Sequence, residues 1–506
     1  MNNAHTGKTA YFARRTLALL LAFLFAAALA PAARADDAAA AKRLRLTVSG
    51  GYAATPSKFL AEGADPLTDG SYRTEARVYG TLSLSAPANI ANLYISFSDT
   101  PTEFTVTAGD RRLRCVPQYL EVCVDVSALA SSTLSLAFIG TVNVCDVYAY
   151  GEGELPGFVQ RWEPPCEKAD ILLISAHADD EHLYFAGLLP YYAGELGCAV
   201  QVAYFTDHVA EPYRRHELLN GLWTAGVRNY PVIGSVPDAF SNSEKEALKK
   251  LSAAGMSRDD ALLQQVRLIR RFKPQVVVTH DLEGEYGHGQ HRLCASTALE
   301  AAGIAANAES DPASVSLYGA WDAPKLYLHL YPENQINMNW DFPLDAFGGK
   351  TAFQVSQDGY ACHLSQRGPR FDNWIFGEKN EITKAAEIAE YSPCIYGLAR
   401  TNVGADVNKN DFLENVITYA EQERLAAEAE AKRQEEERAA AEAEAKAKAD
   451  EEAKKRADAD AASESDASRA RGMNALAVAA ACLLALSVAA YAARRAFDKK
   501  QRSKTK

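Results

Sequence analysis

The chain has 506 residues and a formal net charge of −12, too long for one ordinary domain, so two or three folded units with connectors are expected. The acidic balance excludes nucleic acid as a partner, because neutralising phosphates needs a basic surface. Nine cysteines with no CxxC pair argue against a thiolate zinc site.

Taken in chain order, Arg14 and Arg15 precede the apolar run TLALLLAFLFAAALAPAA and then Ala33, Arg34 and Ala35. A charged region, an apolar region and a small-residue cleavage site predict a signal peptide over 1–35, with the mature chain beginning near Asp36. Over 40–165, short alternating runs such as ARVYGTLSLSA, ANLYISFSD, EFTVTAGD, LEVCVDVS and TLSLAFIG, separated by Gly, Pro, Asp and Asn, predict an all-β, jelly-roll-like sandwich. The stretches DPLTDGSYRTEARV and CDVYAYGEG resemble the opening and closing strands of discoidin-like (galactose-binding-like) domains. That resemblance implies an accessory carbohydrate-binding role, beside a plain spacer role. Export would expose eight cysteines to an oxidising compartment, and the closeness of Cys115 to Cys123 and of Cys145 to Cys166 suggests disulfides.

Over 166–405 strands alternate with helices. ADILLISAH, AVQVAYFTD, YPVIG, PQVVVTH and KLYLHLY read as strands, while PYRRHELLNGLWTAG and SRDDALLQQVRLIRRFK read as helices, the second N-capped by Ser257. This pattern predicts a Rossmann-like α/β domain with a mainly parallel sheet. From Asp411 the chain is dense in Ala, Glu, Lys and Arg with opposite charges three or four apart. That composition predicts a solvated single-helix stalk over 411–457, rather than a strong coiled coil, spanning roughly 70 Å. Residues 458–472 read as a flexible linker. Met473 to Ala493 supplies about the 20 apolar residues of a transmembrane helix, and RRAFDKKQRSKTK, 494–506, is a basic tail that stays cytoplasmic. The expected location is therefore the cell membrane, with the folded domains outside.

Nine of ten histidines fall between His177 and His363. In open α/β sheets ligands bind beyond the carboxyl ends of strands, so SAHADDEH after the first strand and THDLEGEYGHGQH after a later one are expected to face one crevice. Asp179, Asp180 and Glu181 are adjacent carboxylates whose burial is costly unless a cation offsets it. His177 and Asp180, three apart, can turn toward one ion, and His288 and His291 repeat that step on the second loop, supplying a third ligand and a spare imidazole. Two histidines and one carboxylate leave a divalent ion open to water, which the ion acidifies. Asp179, the neighbouring carboxylate that need not ligate, is the candidate base.

AHADDE and HDLEGEYGHGQH resemble the two signature motifs of the PIG-L (LmbE-like) zinc-dependent N-deacetylases, close to AHPDDE and HDPxGxYGHxDH. YRRHELLNGLWTAGV resembles that family's RxxE helix, and YACHLSQ its late His-x-Ser/Thr-Gln segment. The resemblance spans about Ala169 to Pro369. It implies His177, Asp180 and His291 as ligands of Zn2+, or of Fe2+ in its place, and Asp179 as general base. It further implies His288 as acid or as electrostatic partner of the oxyanion, Tyr286 as a hydrogen-bond donor to the same oxygen, and Arg214 on substrate hydroxyls. Two positions depart from the motifs. Ala178 stands for Pro, which loosens a turn, and Gln290 stands for Asp, which removes a negative partner from the ligands. Glu181, His182 and His363 read as structural or supporting residues, His208 as a rim or structural residue, His280 as a loop-shaping residue, and Cys198 and Cys294 as buried thiols.

The expected function is removal of the N-acetyl group from an N-acetylglucosamine-type sugar in a glycan or glycolipid. The alternatives are an inactive surface glycan-binding protein and an amidase on another N-acyl amino-sugar conjugate.

Overall fold

A computed structural model of the protein describes residues 39–467 with Leu486, Ser487, Ala489 and Ala490. The described residues fall into two compact units that divide between Gln422 and Glu423. The proposed signal peptide and basic tail, and all but four residues of the 473–493 run, lie outside the described residues. Among the described residues no helix is long and apolar enough to cross a membrane, so the structure gives the expected transmembrane helix no support.

The first unit opens with eight strands: β1 Arg43–Leu44, β2 Thr47–Ala54, β3 Ala76–Ser85, β4 Asn92–Phe97, β5 Phe104–Ala108, β6 Arg111–Cys115, β7 Glu121–Asp125 and β8 Thr133–Tyr150. Alternation along β3 buries Ala76, Val78, Leu82 and Leu84 and leaves Arg77, Tyr79, Thr81 and Ser83 outward, the period of a half-buried strand. The strands join into one antiparallel eight-stranded sheet whose β3, β4, β5 and β8 residues share one core. The physical reason is β8, which is 18 residues long and carries β3 on one edge and first β5, then β4, on the other. Register shifts between Tyr79 and Thr81 and between Ser96 and Phe97 bend it, as bulges do. All eight cysteines of the described residues are free thiols, which corrects the expected disulfides. Cys115 lies opposite Phe104 and Cys123 opposite Tyr94, in different strand pairs, while the Cys145 Sγ faces Ser98 Oγ at 3.2 Å.

The α/β domain adds β9 Ile171–Ser175, β10 Val200–Thr206, β11 Val232–Val236, β12 Val276–Thr279, β13 Lys325–His329, β14 Gln335–Asn337 and β15 Ile395–Thr401. The sheet order is β11-β10-β9-β12-β13-β15-β14. The first five strands are parallel, and β15 and β14 close the edge antiparallel. Helices α1 Asp180–Leu183, α2 Arg214–Thr224, α3 Glu244–Ala253, α4 Arg258–Phe272, α5 Gly289–Ile304, α6 Pro312–Tyr318, α7 Ala352–Ala361 and α8 Pro369–Phe376 flank it. Within β9, Ile171 and Leu173 enter one core with α2 and α7, and Leu172 and Ile174 enter the other with α4 and α5. A strand covered on both faces needs such an unbroken apolar run. Ser257 begins α4 with a reciprocal capping box to Asp260.

The chain order doubles back between β9 and β12, so the loops leaving these two neighbours open the crevice where such sheets bind ligands. The β-domain docks on α2 through buried polar contacts: His216 Nδ1 to Glu121 Oε1 at 2.7 Å, Arg73 to Glu217 at 2.7 Å and Arg215 to the Ser98 carbonyl at 2.9 Å.

The α/β domain runs further than 405. Phe412 is fully buried, Tyr192 donates to Asp411, and Lys325 Nζ bonds Asp406 and the carbonyls of Phe412 and Glu414. Helix α9, Tyr419–Ala467, therefore starts later than the expected stalk and continues through 458–467, expected to be a linker. Ala, Asp and Ser there still permit helix. Its surface carries i,i+4 pairs such as Glu444 with Lys448 and Glu451 with Lys455, each at 2.6 Å.

Candidate metal centre and catalytic site

The loop from β9 into α1 is held at every residue. Ser175 Oγ donates to the His177 carbonyl, the Ala176 N–H to His280 Nε2 and the Ala178 N–H to His208 Nε2, each at 2.8 Å. Proline has no N–H, so Ala178 does more than loosen a turn: it supplies the donor that His208 accepts. Asp179 lies at φ +114°, a backbone region costly for a residue with a Cβ. Its N–H is held by Glu181 Oε2 at 2.9 Å.

Three donor atoms converge beside it. His177 Nδ1 is 3.2 Å from Asp180 Oδ2, His291 Nε2 is 3.2 Å from the same oxygen, and His177 Nδ1 is 3.1 Å from His291 Nε2. Two ligands about 2.0 Å from one ion at a tetrahedral angle stand about 3.3 Å apart. The near-equilateral triangle thus fits a divalent cation with one face left open.

Two further histidines are close enough to complete other triads, His288 with His177 and His291, and His280 with Asp180 and His291. Their tautomers argue against ligation. His288 Nδ1 accepts from the Gln290 N–H at 3.1 Å, which leaves Nε2 protonated. His280 Nε2 accepts from Ala176, so its Nδ1 carries the proton and donates to Glu285 Oε2 at 2.8 Å. Neither neutral ring keeps a free lone pair.

The neutral Gln290 does not strip the site of its carboxylate. Glu285, fully buried, accepts from His280 and from His291 Nδ1 at 2.6 Å on one oxygen and from His329 Nδ1 at 2.7 Å on the other. It stands behind His291 as a carboxylate commonly stands behind a metal-binding histidine. Gln290 Oε1 accepts from His177 Nε2 at 3.0 Å while its Nε2 donates to the Pro237 carbonyl at 2.7 Å. An amide oxygen fixes the His177 tautomer, Nδ1 lone pair inward, without adding charge. Sequence reasoning missed Glu285 and His329. Glu285 lay inside a quoted motif, and its type was the available signal. His329 sits in an apolar strand and gave none.

Burial raises the Asp179 carboxyl well above its ordinary range, although Arg214 opposes the shift. Burial also acts to raise Asp180, but His291 and His177 outweigh it and hold that carboxyl well below the ordinary range. For His291 burial acts downward, yet Asp180 and Glu285 push it up to about 10. The field that keeps a proton there is the field a divalent cation would meet. Burial, with His177 and His291, drives His288 down to about 2, so it stands neutral with an Nε2–H to donate. Burial raises Tyr286 too. Its ring centre is 5.5 Å from those of both His288 and His291. Arg214 bonds Asp238 at 2.7 Å and the Ala178 carbonyl at 2.9 Å, and stands 3.6 Å from Asp179.

The structure thus gathers all seven candidate residues, His177, Asp179, Asp180, Arg214, Tyr286, His288 and His291, at one crevice, and adds Asp238, Glu285 and Gln290. His182 and His363 lie apart from it, with Glu181.

A family model described as PIG-L, GlcNAc-PI de-N-acetylase, matches residues 172–302. Three curated relatives carry the name 1D-myo-inositol 2-acetamido-2-deoxy-alpha-D-glucopyranoside deacetylase. That of Streptomyces scabiei is 28% identical over 189 residues, 33% of this chain and 57% of the relative. That of Catenulispora acidiphila is 30% identical over 196 residues, 34% of this chain and 59% of the relative. That of Saccharopolyspora erythraea is 31% identical over 219 residues, 39% of this chain and 77% of the relative. The chain thus spans 57% and 59% of the first two.

Proposed function

Because this chain belongs to the PIG-L family, we propose that it is a zinc-dependent hydrolase that removes the acetyl group from an N-acetylglucosamine-type sugar in a glycan or glycolipid. The observation that carries the reading is the triangle of His177, Asp180 and His291 at the β9/β12 crevice, with the carboxyl of Asp179 beside it. When bound there, a divalent ion would polarise the amide carbonyl and lower the pKa of water; Zn2+ suits two imidazoles and a carboxylate, and Fe2+ is the alternative.

The chain's own groups do the rest. Asp179, kept basic by burial, takes a proton from the attacking water as its oxygen bonds the amide carbon. His288 Nε2–H and the Tyr286 hydroxyl donate to the oxygen that gains charge, and neutral donors in a buried crevice are effective there. Asp179 then returns the proton to nitrogen as the C–N bond breaks, giving acetate and a free amine. Arg214 and Asp238, joined at 2.7 Å, form the polar edge to which we assign the sugar hydroxyls.

The leader-like and apolar terminal runs support an exported, membrane-anchored location on sequence grounds, testable by protease accessibility on intact cells. The groove between the β-domain and α2, lined by Tyr72, Tyr94, Tyr148, Phe158 and Trp223, supports an accessory glycan-binding role for that domain.

The test is acetate release by zinc-loaded full chain from N-acetylglucosaminyl-inositol and N-acetylglucosamine-containing glycans, beside Asp179→Asn. We expect turnover in the wild type and a loss of about 10²- to 10⁴-fold in the variant, with its zinc retained. No acetate from any of these substrates at full zinc occupancy would leave the inactive glycan-binding reading.

A further inference from the structure

We propose that Glu181, His182 and His363 form a second divalent-cation site, separate from the triangle of His177, Asp180 and His291. Glu181 and His182 lie on α1, and His363 follows α7, which turns back so that the His363 N–H donates to the Tyr360 carbonyl at 2.9 Å. All three side chains are fully buried. Glu181 Oε1 stands 3.4 Å from His363 Nε2 and 3.7 Å from His182 Nε2. These separations exceed the ~2.8 Å of a charge-assisted hydrogen bond and come close to the ~3.3 Å between two tetrahedral ligands of one ion.

A second observation points to the same occupant. By hydrogen-bond geometry Glu181 Oε1 and both ring nitrogens of His182 and of His363 have no partner among the described residues, and neither has the buried Tyr204 hydroxyl, which stands beside Glu181 and, against the effect of burial, helps to lower its pKa. Buried polar atoms are almost always paired; each neutral ring here keeps one lone pair, and those two with the Glu181 carboxylate make a donor set that a cation would satisfy.

A third lies in the walls. A Cβ on Gly359, in α7, would fall 2.4 Å from His182 Cε1, and one on Gly221, in α2, 2.6 Å from His182 Nε2 and 2.8 Å from His363 Nε2. Neither glycine has positive φ, so their backbones have no need of glycine. The two helices give up side chains to admit two imidazoles.

Two imidazoles and one carboxylate select a borderline ion such as Zn2+ over Mg2+ or Ca2+, which prefer all-oxygen sets. The site acts on the neighbouring crevice through Glu181. Its other oxygen holds the N–H of Asp179, the residue at φ +114°. A cation on Oε1 fixes that carboxylate and with it the loop carrying Asp179, so Glu181 is a positioning residue.

The test is the zinc content of the full chain after loading and exhaustive desalting. We expect two ions per chain in the wild type and one in His182→Gln, His363→Gln and His177→Ala. The His177→Ala protein, which keeps only the new site, should show a cobalt(II) visible spectrum that the further change His363→Gln abolishes. Circular dichroism checks the fold of each variant. If the His363 variants misfold, His177→Ala still decides: one ion per chain supports the site and none overturns it. One ion in the wild type, or two in folded His182→Gln and His363→Gln, would also overturn it.

Discussion

Two histidine clusters flank the strained Asp179, and they differ in how their nitrogens are used. Toward β12 every ring has a hydrogen-bond partner: Gln290 Oε1 accepts from His177, Glu285 accepts from His280, His291 and His329, and the Gln290 N–H donates to His288. Toward α7, His182 and His363 have no partner at either nitrogen. The first cluster is organised by the protein's own hydrogen bonds. The second has a cradle of the right size and nothing that decides where its protons sit. Preorganisation by outer hydrogen bonds, rather than the count of histidines, separates the two.

The sharpest way to break this contrast is to remove one carboxylate from each cluster. Glu285→Ala leaves three buried imidazole N–H groups unpaired and should cost about 3–5 kcal/mol, the usual loss when one partner of a buried charged pair is deleted, read by urea unfolding of metal-free protein. Glu181→Gln in the same assay should cost less, because its rings already lack partners. Equal losses would erase the distinction.

A buried histidine outside both clusters, His216, sharpens it. Burial acts to lower His216, but Cys145 and Glu121 raise it to about 10, and it pairs with Glu121 across the domain junction. A folded-state pKa above the ordinary 6.5 contributes stability that is complete below pH 6.5 and disappears as pH rises through about 10. Linkage allows at most about 1.4 kcal/mol per pH unit within that window, so between pH 7 and 9 we expect a fall of about 2 kcal/mol. His216→Gln should be nearly flat over the same range in thermal melts, and a wild type that is equally flat would show the pair to be neutral. Next in size, Gln290→Leu should weaken the His177 site for zinc by about 10- to 100-fold and leave the second ion untouched. Gln290→Glu, which keeps an accepting oxygen, should retain zinc; a matching loss would show that neutrality, not acceptance, is what His177 requires.

Much of this was legible in the residues. The unbroken apolar runs of ILLIS and VVVT announced covered strands, and the motifs at their ends named the side chains that meet. What escaped depends on register and on distance in sequence. QIN and IYGLART are too short or too mixed to announce β14 and β15. RRLRC hides β6 because its arginines face solvent. The stalk boundary moved because Phe412 is buried by Tyr192 and Tyr327, contacts no local pattern reveals. The partner of Gln290 is not legible locally, because its amide oxygen reaches His177 on the other loop, 113 positions earlier. The role of Ala178 depends on His208, thirty residues on, which accepts its N–H.

The smallest expected effect is also the one whose sign decides most. In the interior of an exposed helix, Gly→Ala stabilises by about 1 kcal/mol. Gly359 lies within α7, and its virtual Cβ meets a buried His182 ring atom at 2.4 Å. Overpacking a filled core costs about 1–3 kcal/mol, so Gly359→Ala should be destabilising by about 1 kcal/mol net. The same change made in a His182→Ala background should recover the helix gain, since the ring that blocks the methyl is gone, and the double-mutant cycle isolates that coupling. Gly221→Ala, whose Cβ meets both His182 and His363, should respond to removal of either ring. If Gly359→Ala stabilises the wild-type chain as an exposed helical glycine would, His182 is free to swing aside. The second cluster would then be a loose pocket, with no cradle shaped for an ion.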